Sequence, residues 1–377
     1  MDEPRDEPPP TIYGEETDSE SLPPLVFVPG IMGTQLHRKD SLEPIWPPAG
    51  WWSQGEFRFR SLSHLVNGTE KAVPADPVKL FPGVYDGLML GLTSAGYALN
   101  ENLFIYGYDW TQSNRTSGMA LGAFIEDILS SHPEWEWVDV VNHSMGGLVT
   151  RAAARYAGAR IRRTAYLASP HYGAPKAYFS LHGEIPIFRG FFETLVANYA
   201  WNNVLKNPGD EDTLEAQLKL VATQMPSVYE LLPDDFYLPK HPAVWMQHLS
   251  AEFPVRSWRA TYLVNRCKFA SPAMQAMAQQ AMLFKEDLGR TLPGVENLVI
   301  FGGDKPTEDR IDYRVYPGLG SPFGAPFDTG QKGDETVPTA SASLDNSPQA
   351  RPAHGTHTGI PNNQNVVGTV LDFLVAA

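Results

Sequence analysis

Val138-Asp-Val-Val-Asn-His-Ser144-Met-Gly-Gly147 is the stretch on which the reading of this chain turns. Its first half is an apolar run of strand character, and Leu148 to Tyr156 after it has helical periodicity. A serine on the tight turn between a strand and a helix is the nucleophile-elbow pattern, Gly-x-Ser-x-Gly. Such a turn strains the serine backbone and raises the hydroxyl above the sheet. Small neighbours are needed because strand and helix pass close together. Gly146 supplies one on the helix side, while Asn142 stands where the strand-side glycine is expected. Asparagine tolerates unusual backbone angles better than most residues, so the elbow is expected to survive. The competing reading is an ordinary serine in a glycine turn. His143 adjoins the serine in sequence, so its ring is expected to point away and pack.

Working outward, short apolar runs alternate with amphipathic helices. Leu25 to Val28 reads as a buried strand closed by Pro29-Gly30, with further strands at Leu103 to Tyr106, Trp137 to Val141, Arg163 to Ala168, Glu296 to Phe301 and Asp312 to Tyr316. Helical patterns occupy Val84 to Ala95, Gly118 to Ser130 and Asn365 to Ala376. This alternation calls for an α/β fold, a mostly parallel sheet with helices on both faces. Residues 176–290 break the rhythm with helix-rich, aromatic sequence and read as an inserted helical cap. The expected organisation is an arm at 1–24, a core at 25–175 and 291–377, and the cap between them.

A serine hydroxyl needs a general base, and the base an orienting carboxylate. On an elbow of this kind the chain order is serine, acid, histidine. Asp334 in Gly333-Asp-Glu-Thr-Val-Pro338 fits the acid, with Glu335 as the alternative. His357 in Pro352-Ala-His-Gly-Thr-His357 fits the base, with His354 as the alternative. The two histidines as half of a metal site is a weaker reading, because no third ligand has suitable spacing. No metal or cofactor is expected. An oxyanion needs two backbone donors: the amide of Met145 after the serine, and one from Pro29-Gly-Ile-Met-Gly33, either Ile31 or Met32.

The 377 residues carry a net charge of −14. Eight acids and one base fall within residues 1–24, so half of that charge belongs to the expected arm. Such acidity argues against nucleic acid as a partner, since a phosphate backbone demands basic patches. No apolar window is long enough to span a membrane. The start, MDEPRDEPPP, is the opposite of a signal peptide, so the chain reads as cytoplasmic. The lone Cys267 cannot form an internal disulfide and is expected to be structural.

Together these stretches resemble the lecithin:cholesterol acyltransferase-like α/β-hydrolases, which include lysosomal phospholipase A and phospholipid:diacylglycerol acyltransferases. The resemblance rests on Val28-Pro-Gly-Ile-Met-Gly-Thr-Gln-Leu36, Tyr108-Asp-Trp110, His143-Ser-Met-Gly-Gly147 and Ala168-Ser-Pro-His-Tyr-Gly-Ala-Pro175. It continues in Gln224-Met-Pro-Ser-Val-Tyr-Glu-Leu-Leu-Pro233, Phe301-Gly-Gly-Asp-Lys-Pro-Thr307, Gly333-Asp-Glu-Thr-Val-Pro338 and His357. It implies an α/β-hydrolase fold with Ser144 as nucleophile, Asp334 as acid, His357 as base, and Ile31 and Met145 as oxyanion donors. It also implies an ester substrate, a lipid or another bulky apolar ester, taken by hydrolysis or acyl transfer. A carboxylesterase acting on non-lipid esters and a non-catalytic scaffold are the rival readings. The resemblance further places a lipid-touching insertion where Trp46, Trp51 and Trp52 stand. Their alternative is packing against the cap. Asn142 and the single cysteine depart from the pattern and imply a distant relative.

Overall fold

The computed structural model describes residues 22–47, 71–76, 78–181, 221–240, 244–248, 251–254, 271–289, 292, 294–312, 327–328, 331–344, 347 and 349–376. The expected arm, Trp51, Trp52 and Cys267 lie outside the described residues, apart from residues 22–24 of the arm.

Among the described residues, six strands form the central sheet: β1 (Leu25–Val28), β2 (Leu103–Ile105), β3 (Val138–His143), β4 (Ile161–Leu167), β5 (Glu296–Gly302) and β6 (Ala350–Ala353). They lie in the order β6-β5-β4-β3-β1-β2 and every pair is parallel. Strands covered on both faces need apolar side chains at successive positions rather than alternate ones. Accordingly all four residues of β1 and all six of β3 are buried. Each large aliphatic or aromatic side chain so placed contributes about 1.5–3 kcal/mol. The polar members of β3 have partners: Asp139 takes a two-pronged hydrogen bond from Arg162 at 3.0 and 2.6 Å, and the Asn142 amide donates to Thr164 Oγ1 at 3.0 Å.

Helices cover the sheet in two groups. Helices α1 (Asp86–Ser94) and α7 (Gln364–Val375) pack together, and α2 (Asn114–Ser131) packs along α3 (Gly146–Ala157). Ser113 caps α2 by accepting from the Arg115 amide. Gly158 ends α3 in a left-handed conformation, φ 63°. Short helices α4 (Pro175–Leu181) and α5 (Pro226–Glu230) and the longer α6 (Pro272–Leu288) lie between β4 and β5, and a single turn of helix spans Thr339–Ala342.

The described part of 176–290 is not helical throughout. Val244–His248 and Ala251–Pro254 form an antiparallel hairpin, and the first of these strands also pairs with Arg310–Asp312. Helix α6 rests on the core: Arg155 of α3 pairs with Asp287 at 2.8 Å, Tyr156 stacks on Phe284, and Met274, Ala281, Phe284 and Leu288 join the main hydrophobic cluster. A parallel crossover from β4 to β5 requires a covering element of this kind. Strand β6 escapes the sequence patterns because it is four residues long, occupies the sheet edge and contains Pro352.

Candidate active site

All the predicted site residues sit at the carboxyl ends of the parallel strands, where open α/β sheets present ligand crevices. Ser144 follows β3 directly and has φ 54°, a left-handed conformation rare for a side-chain-bearing residue. The elbow is tight. A Cβ on Gly146 would stand 2.4 Å from the Val28 carbonyl oxygen, so no larger residue fits without displacing β1. Asn142 serves in place of glycine because it stays in the strand: its amide group reaches Thr164 and its carbonyl accepts from Ser169 Oγ at 3.1 Å. The strain falls on Ser144 itself.

His357 Nε2 lies 2.8 Å from Ser144 Oγ, and His357 Nδ1 lies 2.8 Å from Asp334 Oδ2. The short antiparallel pair Lys305–Thr307 and Gln331–Gly333 delivers Asp334 to this point. Its other carboxylate oxygen accepts from the amides of Thr336 at 3.0 Å and Val337 at 2.7 Å. Burial acts to raise the Asp334 pKa, but the adjacent His357 and these amides outweigh it and hold the carboxyl below its usual range. The alternatives fall elsewhere. Glu335 has φ 76°, its amide bonded to Thr307 Oγ1, and it lines the cavity beside the site. His354 is 89% exposed, 3.5 Å from Asp304.

The loop after β1 runs against the serine. A Cβ on Gly30 would stand 2.9 Å from Ser144 Cβ, so only glycine allows this approach. The turn bonds run from Gly33 N–H to Gly30 C=O and from Gly147 N–H to Ser144 C=O, and neither uses the amide of Ile31 or Met145. Met32, at φ 62°, presents its carbonyl to Trp46.

Four aromatic side chains from distant parts of the chain hold this loop. Tyr108 Oη donates to the Pro29 carbonyl at 2.9 Å, Trp46 Nε1 to Met32 at 2.9 Å, Trp110 Nε1 to Thr34 at 3.0 Å, and Tyr85 Oη accepts from the Gly30 amide at 3.0 Å. Trp46 also packs against Phe81 and Trp110 and is 1% exposed. Of the two readings of Trp46, lipid contact and packing, this burial favours packing: its indole is bonded to the loop and packed in the core. Tyr108 and Trp110 come from the quoted Tyr-Asp-Trp motif, whereas nothing local in the sequence marks Tyr85. His143 is 3% exposed and packs as expected, but it also has polar partners on both ring nitrogens, Tyr85 Oη at 3.1 Å and the His357 carbonyl at 3.0 Å.

Ser144 opens into a cavity walled largely by apolar side chains, including Ile31, Met32, Phe81, Val84, Val228 and Leu231, with Lys176, Glu335, Thr336, Thr356 and Thr358 among the polar exceptions. Among the described residues no helix is long and apolar enough to cross a membrane.

A six-stranded parallel sheet carrying an elbow serine at its carboxyl edge defines an α/β-hydrolase fold. A chain in the crystal structure of the Tle4–Tli4 complex shares it, with a TM-score of 0.60 over 94% of this chain and 99% of that one at 15% identity, a likeness of fold alone. The family model for lecithin:cholesterol acyltransferase matches residues 76–185. Lecithin-cholesterol acyltransferase-like 4 of Arabidopsis thaliana is 26% identical over 163 residues, 35% of this chain. The match spans only 30% of the length of that relative. The family match contains Ser144 and Met145 but not Ile31, Asp334 or His357.

Proposed function

We propose that this protein is a serine-dependent acyl-ester hydrolase or acyltransferase that takes a lipid or another bulky apolar ester through an acyl-enzyme on Ser144. The observation that carries the reading is the continuous Ser144–His357–Asp334 hydrogen-bond line, at 2.8 Å for each contact, facing an apolar-walled cavity. The acyltransferase-like family and the relative's name support an acyl ester as substrate.

In this mechanism His357 Nε2 takes the Ser144 proton as Oγ attacks the ester carbonyl. The carbonyl π pair moves to oxygen, and that oxyanion accepts from the Ile31 and Met145 amides. Asp334 keeps its negative charge and stabilises the imidazolium that forms. His357 then protonates the leaving alkoxide as the carbon–oxygen bond breaks, leaving the acyl group on Ser144. Water or an acceptor alcohol, deprotonated in turn by His357, attacks the acyl-enzyme and restores Ser144. The partition between them follows from how well the closed site excludes water.

The test is a fluorophosphonate label on wild type and on Ser144→Ala, followed by turnover of phospholipid vesicles and of soluble short-chain esters. Labelling of wild type alone and release of fatty acid from vesicles are expected. Turnover of soluble esters only would sink the lipid reading, and absence of labelling would sink the serine mechanism. Acyl transfer is read from the same vesicles supplied with a long-chain alcohol.

A further inference from the structure

We infer that Tyr85 and His143 are positioning residues that tie the oxyanion loop to the backbone of His357, so that the donor and base halves of the site are held at one fixed separation. The inference rests on the proposed serine mechanism.

The proton assignment of this tie is forced by its ends. The His357 carbonyl can only accept, so the His143 Nε2 that lies 3.0 Å away must carry a hydrogen. The Gly30 amide can only donate, so Tyr85 Oη accepts from it at 3.0 Å. Neutral His143 then has Nδ1 free as an acceptor, and the single Tyr85 hydroxyl hydrogen goes to it across 3.1 Å. Gly30 N–H, Tyr85 O–H and His143 Nε2–H thus form one directed chain ending on the His357 carbonyl.

Its two ends lie where positioning matters. Gly30 immediately precedes Ile31, whose amide is the proposed donor to the oxyanion. At the other end the His357 peptide is gripped on both sides, its N–H by the Asp334 carbonyl at 2.8 Å and its C=O by His143. Edge packing of Tyr85 on Phe27 of β1 anchors the middle of the chain to the sheet.

Charge gives a second reason for this chemistry. The rings of His143 and His357 are 4.7 Å apart. An imidazolium at His143 would oppose the positive charge that His357 gains when it takes the serine proton. Burial, with His357 nearby, pushes the His143 pKa down to about 3 despite Asp334, and burial raises the Tyr85 phenol. The tie is therefore neutral throughout the working range, fixing geometry without adding charge. Neither side chain gives or takes a proton in the reaction.

The decisive experiment measures turnover of a soluble ester per site titrated with fluorophosphonate, in Tyr85→Phe, His143→Gln and His143→Leu. A glutamine offers an acceptor oxygen and a donor nitrogen and can rebuild the tie; leucine can do neither. Tyr85→Phe and His143→Leu are each expected to lose about 10- to 100-fold in kcat with KM changed less than about threefold, since a small misplacement of a reacting group costs about that much. His143→Gln is expected to recover to within about fivefold of wild type, and the Tyr85→Phe/His143→Leu double variant to fall no further than either single one. Wild-type kcat in Tyr85→Phe, or equal losses in the glutamine and leucine variants, would overturn the inference.

A readout independent of folding of the variants is nitrogen NMR of the wild-type histidines. One buried histidine protonated only on Nε2 and unchanged between about pH 5 and 9 is expected, assigned by its loss in His143→Gln. A hydrogen on Nδ1 of that residue would overturn the tie. Failure of wild type to label would instead reject the serine mechanism, and the NMR tautomer would still decide the hydrogen-bond chain.

Discussion

The turn after β3 and the turn after β1 meet at Ser144, yet they are held in different ways. The elbow is set by its own sequence: a buried strand, one residue at positive φ, Gly146 against the Val28 carbonyl, and a helix. The loop after β1 is held from outside, by Tyr85, Tyr108, Trp110 and Trp46, which are 14 to 79 positions away from the groups they bond. The contrast teaches that the proposed nucleophile can be placed by local backbone strain. The Ile31 amide, the proposed oxyanion donor on the loop after β1, needs tertiary scaffolding, because an amide has no side chain of its own to lock it.

The comparison breaks most completely at the elbow. Ser144→Ala should abolish fluorophosphonate labelling and lower ester turnover by on the order of 10⁴- to 10⁶-fold, with thermal unfolding little changed. Residual turnover within tenfold of wild type would move the nucleophile elsewhere.

Next come the two residues that serve the elbow from afar. Asp334→Asn should cost roughly 10⁴-fold in kcat, because the amide favours the wrong tautomer of His357. His357→Ala should lose several orders of magnitude, while exposed His354→Ala should stay within about twofold. The reverse order for the two histidines in an ester assay would reassign the base.

The loop side is expected to fail more gradually, since four anchors share it. Trp46→Phe removes one donor and leaves the Met32 carbonyl short of a partner, a loss of about 1–3 kcal/mol in stability. Denaturant unfolding should show that loss, and kcat should fall by about tenfold. Vesicle binding should not change, because the indole is buried; weaker vesicle binding at unchanged stability would return Trp46 to the surface.

The smallest effect is a pH dependence of stability. His143 is held below the ordinary histidine value of 6.5, at about 3, facing Tyr85, His357 and Asp334. A depressed folded pKa means the unfolded chain binds more protons in that window. The neutral His143 therefore contributes fully above about pH 6.5, and the contribution is lost as pH falls towards 3. Asp334 acts in the same direction at lower pH, its stabilisation being lost as pH falls through its lowered folded value. Thermal unfolding from pH 7 to 4 should drop less steeply in His143→Gln than in wild type, and parallel curves would contradict the assignment.

Most strands and helices were readable because their signal is short-range. β1, β3, β4 and β5 announce themselves as apolar runs, and α2, α3 and α7 as 3.6-residue periodicities. The hairpin at Val244–His248 and Ala251–Pro254 was hidden in a segment whose aromatic richness suits a helix or a strand equally. Edge strand β6, with its proline and exposed residues, carries no apolar pattern at all. In the site, Ser144, Asp334 and His357 were named from motif and chain order, and the fold brings their side chains within hydrogen-bond distance. Tyr85 went unnamed, and Trp46 was left open between lipid contact and packing, of which its burial favours packing.

By itself, then, the sequence determined the parallel-sheet architecture, the elbow, and which side chains compete for the base and the acid. Period, turn strain and residue chemistry act over a few positions and are written there. Tertiary structure alone decided that Trp46 points inward, that Asp334 rather than Glu335 meets His357, and that Tyr85 and His143 join two loops. Those outcomes depend on which carbonyl or amide lies within about 3 Å of a ring atom. That distance is settled by packing between segments that the linear order keeps far apart.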